Sequence, residues 1–210
     1  MLIFGDKLST ETVQVGINAD LTWTNVTGVD DAEFRGSWAF GAYVQVRLSE
    51  KLFIVPALMI KTPGGMKGFG VGEAGNPFEP SDVDEVNENL ADGTITRTLN
   101  YITVPVAMRY QIGRIGLAGG GYAGYMTKGH DELDASVSQG DLTLRTSVTD
   151  VLNRFDAGLQ ASVDFSFMPE RKMRSLRLAV KGIYGLMDTV KDNSGDPIKN
   201  VACLSNSKFR

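Results

Sequence analysis

Arg154-Phe155-Asp156-Ala157-Gly158-Leu159-Gln160-Ala161-Ser162-Val163-Asp164-Phe165-Ser166-Phe167 alternates between two kinds of residue. Phe155, Ala157, Leu159, Ala161, Val163, Phe165 and Phe167 are apolar, and Asp156, Gly158, Gln160, Ser162, Asp164 and Ser166 separate them. A β-strand sends successive side chains to opposite faces, so this stretch is a strand with one apolar and one polar face. A helix would scatter the same residues around its circumference. The run exceeds the roughly 5–6 residues of an ordinary strand. It is as long as the roughly 9–11 tilted residues that cross a bilayer.

The pattern recurs along the chain. In residues 12–23, Val13, Val15, Ile17, Ala19, Leu21 and Trp23 oppose Gln14, Gly16, Asn18, Asp20 and Thr22. In 37–48, Trp38, Phe40, Ala42, Val44, Val46 and Leu48 share a face opposite Gly41, Tyr43, Gln45 and Arg47. Residues 52–61 are mostly apolar on both faces and contain Pro56, which lacks a ladder donor. Further strands are expected at 99–110, 115–126 (rich in Gly), 154–167 and 176–186, with weaker alternation at 200–209. Segments 133–137 and 142–148 read as a hairpin projecting beyond the rim.

The connections between these eight segments alternate long, short, long, short, long, short, long. An up-and-down meander therefore gathers all long loops at one end. Loops of such length are uncommon in compact soluble domains unless they are functional. Short turns at one end and long loops at the other mark outer-membrane barrels, and an even number of strands closes the sheet without edges. The expected fold is one all-β domain over residues 1–210, with 1–11 as an N-terminal tail. It is an eight-stranded antiparallel up-and-down transmembrane β-barrel.

Composition agrees. The hydrophobic fraction is 42% in 210 residues, ordinary for one domain, and no run approaches the roughly 20 apolar residues of a membrane helix. A formal net charge of −4 argues against a nucleic-acid partner. Cys203 is the only cysteine, so no internal disulfide forms. Residues 1–6 are too quickly polar to serve as a secretory signal, so either the leader an exported protein needs has been removed or the protein is not exported.

Charge distinguishes lipid outside from ligand inside. The apolar face carries essentially no charge, and a mid-bilayer Arg or Lys there would cost about 2–4 kcal/mol. Trp23, Trp38, Tyr110, Tyr125 and Tyr184 stand on that face near strand ends, where aromatic girdles form. Asp20, Arg47, Lys61, Arg109, Asp156, Asp164, Arg177 and Lys181 lie on the opposite face, and are expected to pair in the lumen. The alternative is a soluble lipocalin-like barrel with its apolar face around a small apolar ligand.

The segments Gly16-Ile17-Asn18-Ala19, Leu99-Asn100-Tyr101-Ile102-Thr103-Val104-Pro105, Phe155-Asp156-Ala157-Gly158-Leu159, Ile183-Tyr184-Gly185-Leu186 and Lys208-Phe209 resemble the PorT-like outer-membrane β-barrel family of Bacteroidota. The resemblance implies an eight-stranded barrel made with a cleaved signal peptide. Some relatives serve type IX secretion and gliding, but no residue here identifies that role. The chain departs from the family pattern at Ala57 and at its tail, where Ser205 and Ser207 fall in phase with Phe209.

No catalytic site, metal site or cofactor is expected. His130 lies beside Asp131 with Ser136 and Ser138 nearby, but a triad needs rigidly positioned members. Asp82, Asp84, Glu85 and Glu88 lack EF-hand spacing and read as a solvated acidic loop. The interior of eight strands is just wide enough for side chains, so no open pore is expected. The expected partners are outer-membrane lipid and another outer-membrane or cell-surface protein met through loops 62–95 and 127–153. The expected role is therefore non-enzymatic: a structural or interaction protein, or an accessory of an outer-membrane or secretion complex.

Overall fold

The computed structural model describes residues 12–29, 32–69, 94–137, 140–167, 177–191 and 198–209. The expected tail, residues 1–11, and most of the acidic loop, 70–93, lie outside them. The strands are β1 (Val13–Thr27), β2 (Arg35–Arg47), β3 (Leu52–Gly64), β4 (Lys67–Phe69), β5 (Thr94–Ile112), β6 (Ile115–Val137), β7 (Gly140–Ser147), β8 (Phe155–Ser166), β9 (Arg177–Gly185) and β10 (Lys199–Phe209).

Eight of them close a ring in the order β1-β2-β3-β5-β6-β8-β9-β10, with β10 returning to β1 and every pairing antiparallel. The closing strand is well registered: Ile17 opposes Phe209 and Thr27 opposes Lys199. The two remaining strands stand beyond the ring. β4 pairs with the start of β5, and β7 pairs with the end of β6. The expected hairpin thus grows directly out of a barrel strand.

Alternation sorts the faces as charge and hydropathy require. Phe155 is 65% exposed and Leu21 60% exposed on the outside, whereas Asp20, Asn18 and Thr22 are buried inside. A soluble carrier would need the reverse arrangement. Trp23, Trp38, Tyr125 and Tyr184 are exposed on the outer face towards the long-loop end, and Tyr110, Phe165 and Phe167 towards the short-turn end.

Prolines are accommodated where the ladder is interrupted. The β2–β3 register passes from Tyr43↔Ala57 to Val46↔Ile54 with no pair opposite Pro56 on that side. On the other side Pro56 opposes Val106. Pro105 pairs with Tyr122 on β6, while the β3–β5 register is interrupted between Pro56↔Val106 and Met59↔Thr103. Each proline turns its donorless nitrogen to one interrupted ladder. The apolar inner face of β3 is explained by packing: Phe53 and Val55 bury against Tyr43 inside the short-turn half of the lumen.

Among the strands of the ring, two β-bulges shift the phase of the alternation. In β3, Met59 opposes Gly41 but Lys61 opposes Phe40, so one extra residue is inserted. Lys61 is therefore displaced from the lumen face expected of it. Its Nζ lies 4.0 Å from the centroid of the outward-facing Trp38 ring. In β6, Met126 opposes Tyr101 and Lys128 opposes Asn100, which leaves Thr127 as the extra residue. Before that bulge the even-numbered residues of β6 face inward; after it the odd-numbered ones do.

Candidate functional site

The lumen holds two polar groups. In the short-turn half, Arg109 donates from Nε to Asp164 Oδ2 at 2.7 Å and from its second nitrogen to Oδ1, a bidentate pair. Both side chains are almost fully buried. Arg177 stands within electrostatic reach of both and donates to Gln45 Oε1 at 2.8 Å. Gln45 in turn donates to Gln14 Oε1 at 3.3 Å. Gly116 makes the pair possible, because a Cβ there would lie 2.5 Å from Asp164 Oδ2 and 2.6 Å from Arg109 Nε. Gly116 is thus a packing requirement, as small barrel interiors demand.

In the long-loop half, Lys181 Nζ approaches Asp20 Oδ2 at 3.7 Å. Asp156 accepts from the Tyr122 hydroxyl and from Asn200 Nδ2, each at 3.0 Å. Asn200 Nδ2 also donates to the Tyr101 hydroxyl at 3.3 Å. A cavity of about 40 Å³ lies among Asp20, Thr103, Tyr122, Asp156, Lys181 and Asn200, enough for a few waters. Of the eight charged residues expected in the lumen, six lie in these two groups. Lys61 is outside the ring, and Arg47 ends β2 exposed at the short-turn rim, beside the Phe53 ring.

A family model described as an outer membrane protein beta-barrel domain matches residues 9–191. The chain belongs to that family. As an outer-membrane barrel it sits in the bacterial outer membrane, with its apolar face against lipid and its short turns, by the general rule, in the periplasm. No curated protein matches the sequence. Among solved structures, the barrel is similar to Ail, the attachment invasion locus protein of Yersinia pestis. Identity is 12% over 95% of this chain and 99% of that one, with a TM-score of 0.46. It is similar to Neisserial surface protein A at 10% identity, over 95% and 99% of the two chains, with a TM-score of 0.41. It is also similar to the outer membrane protease OmpT of Escherichia coli, at 9% identity over 96% of each chain and a TM-score of 0.39. Likenesses this distant carry no function across.

The external end of this outer-membrane barrel is more built than its sequence suggests. β5 and β6 continue past the outer aromatic girdle, and two apolar clusters form there. One gathers Val26, Met66, Ile95, Leu133 and Ile198; the other gathers Leu99, Tyr101, Met126, Val148 and Leu152. All four long connections, or the strand ends that flank them, contribute to these clusters. Among them Arg97 grips Asp131 with Nε to Oδ1 at 2.8 Å and a second bond at 2.7 Å, both side chains buried. The Thr127 bulge is what turns Asp131 inward. The alternation expected of 99–110 and 115–126 stops short of Arg97 and Asp131, which fall in the connections by sequence, and strict continuation from residue 115 would in any case point Asp131 to lipid. Gly65, at φ 105°, lets the chain fold back so that Arg97 N donates to Met66 O at 2.9 Å.

His130 and Asp131 are neighbours in β6 and project to opposite faces. Arg145 on β7 lies 2.7 Å from His130 Nε2. Arg can only donate, so Nε2 accepts and the ring proton sits on Nδ1. Partial burial, then the Arg145 guanidinium, lower the imidazole pKa below its ordinary value. Ser147, opposite His130 in the ladder, directs its hydroxyl to Thr149 at 3.3 Å. The side chain of Ser136, all of Ser138, and the acidic residues Asp82, Asp84, Glu85 and Glu88 lie outside the described residues.

Proposed function

We propose that this outer-membrane barrel is a non-enzymatic interaction protein that works through its external end. The observation that carries the reading is the head beyond the girdle, with its own apolar clusters and a buried Arg97–Asp131 pair. A barrel whose only task was to span the membrane would need none of this. The head holds β7 along β6 from His130↔Ser147 to Val137↔Gly140, with Leu144 and Arg145 exposed to the outside. Rigid presentation reduces the ordering cost of binding. The partner would be another outer-membrane or cell-surface protein, met through segments 62–95 and 127–153. His130 supports no general-base role, since Nε2 is taken by Arg145 and Asp131 by Arg97. The lumen charges serve as an ion-paired interior that holds the strands in register. The finer, PorT-like reading is supported by the short motifs at 99–105 and 183–186, and its place in a secretion complex by nothing further.

Site-specific photo-crosslinking tests the proposal in intact cells. A crosslinker at Thr143 is expected to give discrete adducts to a surface protein, and one at Arg114, in a short turn, to give none of them. Planar-bilayer recordings of the purified barrel are expected to show no steady conductance. Absence of adducts from every external position, or a steady open channel, would overturn the reading.

A further inference from the structure

Asp156 is buried, and none of its partners among the described side chains is a cation. Its two side-chain hydrogen bonds come from a neutral hydroxyl and a neutral amide, both on Oδ2, and the Ala157 backbone N–H also bears on the carboxylate. Lys181, the nearest ammonium lining the same cavity, is placed against Asp20. Among the charged groups that border this cavity, Asp20, Asp156 and Lys181, one negative charge is in excess. Among the described side chains of the other half, Arg109 and Arg177 around Asp164 leave one positive charge in excess. A buried carboxylate without a counter-charge is strongly disfavoured.

Two buried acceptor oxygens here have no partner among the described residues: Asp156 Oδ1 and Asn200 Oδ1. The residues are only 6% and 8% exposed, and both border the same cavity. The Asn200 amide cannot be turned over to relieve this, because its carbonyl would then face the Asp156 carboxylate. The wall beside these oxygens is left bare. A Cβ on Gly185 would meet Asn200 O at 3.0 Å and Asp156 Oδ1 at 3.4 Å, and one on Gly64 the Tyr101 ring at 3.0 Å and Asn200 Oδ1 at 3.5 Å, so close packing calls for glycine at both and leaves the two oxygens uncovered on that side.

We propose that Asp156 and Asn200, with the hydroxyl oxygens of Tyr101 and Tyr122, hold a small univalent metal cation in the long-loop half of the lumen. The donor set is entirely oxygen, which selects hard cations over transition metals. One carboxylate matches one positive charge, whereas calcium favours 6–8 oxygen ligands with several carboxylates. The cavity takes an ion with one or two waters. The inference is independent of what the external head binds.

Sodium is the probe. The purified chain is refolded into detergent micelles in sodium chloride or in choline chloride at equal concentration. Choline is too bulky for the cavity. Thermal unfolding, followed by heat-modifiable electrophoretic migration, is expected to occur on the order of 2–4 °C higher in sodium. The gain should saturate with sodium concentration. Asp156→Asn removes the charge and keeps the shape; it is expected to melt at the same temperature in both salts. Equal melting of the parent in both salts, or an Asp156→Asn variant that still responds to sodium, would overturn the proposal. So would an infrared carbonyl band of a protonated carboxylic acid at neutral pH that disappears in Asp156→Asn, since a proton would then be the counter-charge. Should that variant not assemble, the sodium NMR line decides. Saturable broadening by the folded parent supports the site, and no broadening overturns it.

Discussion

At the short-turn end of the lumen, Arg109 holds Asp164 with two hydrogen bonds and Arg177 stands beside them. At the long-loop end, the side chains that Asp156 bonds are a tyrosine and an asparagine, both neutral. Both carboxylates sit on β8 and face inward by the same alternation. What differs is the strand across the ladder. Asp164 opposes Gly116, which leaves room for a guanidinium from the next strand over; Asp156 opposes Gly124, where Thr103 and a cavity follow instead. An identical residue on an identical face acquires a partner or lacks one according to what the register places two strands away. One half is then a fastener between strands, and the other is a place where something small can bind.

The sharpest way to break this comparison is Arg109→Ala. It strands Asp164 in a buried site and is expected to cost about 3–5 kcal/mol, read as loss of the heat-resistant folded band during refolding titrations. A loss no larger than that of an exposed substitution would mean that the pair fastens nothing. Leu159→Arg tests the face on which both halves rest. It sets a charge against lipid and is expected to cost about 2–4 kcal/mol, far more than Gln160→Arg on the lumen side. Equal membrane assembly of the two variants would reverse the assigned orientation. Gly116→Ala leaves every polar group in place and crowds the Arg109–Asp164 pair; about 1–3 kcal/mol is expected, measured in the same refolding assay. In choline, Asp156→Asn should change stability least among the lumen variants, within about 1 kcal/mol of the parent, because no ion pair is broken. Smaller still, Lys61→Gln should lose about 0.5–1 kcal/mol through its contact with Trp38. A far larger loss would place that ammonium inside the lumen after all.

Much of this was legible in the chain. The ring's eight strands, their apolar outer faces, the aromatic belts and the gathering of long connections at one end all follow from period-two patterning and turn spacing. The errors have identifiable causes. Lys61 leaves the expected lumen face because an inserted residue in β3 reverses the alternation; Arg97 and Asp131 are read as parts of connections because β5 and β6 run on beyond the segments whose alternation marks them, the latter past a second inserted residue at Thr127. A bulge has no sequence mark as strong as the pattern it interrupts. Arg47 was placed on the correct face, but the strand ends there, so it meets water at the rim.

The sequence by itself determined where the protein lives. Strand periodicity and the exclusion of charge from one face are properties of each segment alone, and together they require a closed barrel with lipid outside. Only the tertiary structure decided which charges meet. Those meetings depend on register carried around a closed ring, which brings Arg177 to Gln45 across 132 positions of chain and Arg97 to Asp131 across a bulge. Alternation tells each side chain which way to face. The neighbour it finds there is set by hydrogen-bond register and by the extra residues that shift it.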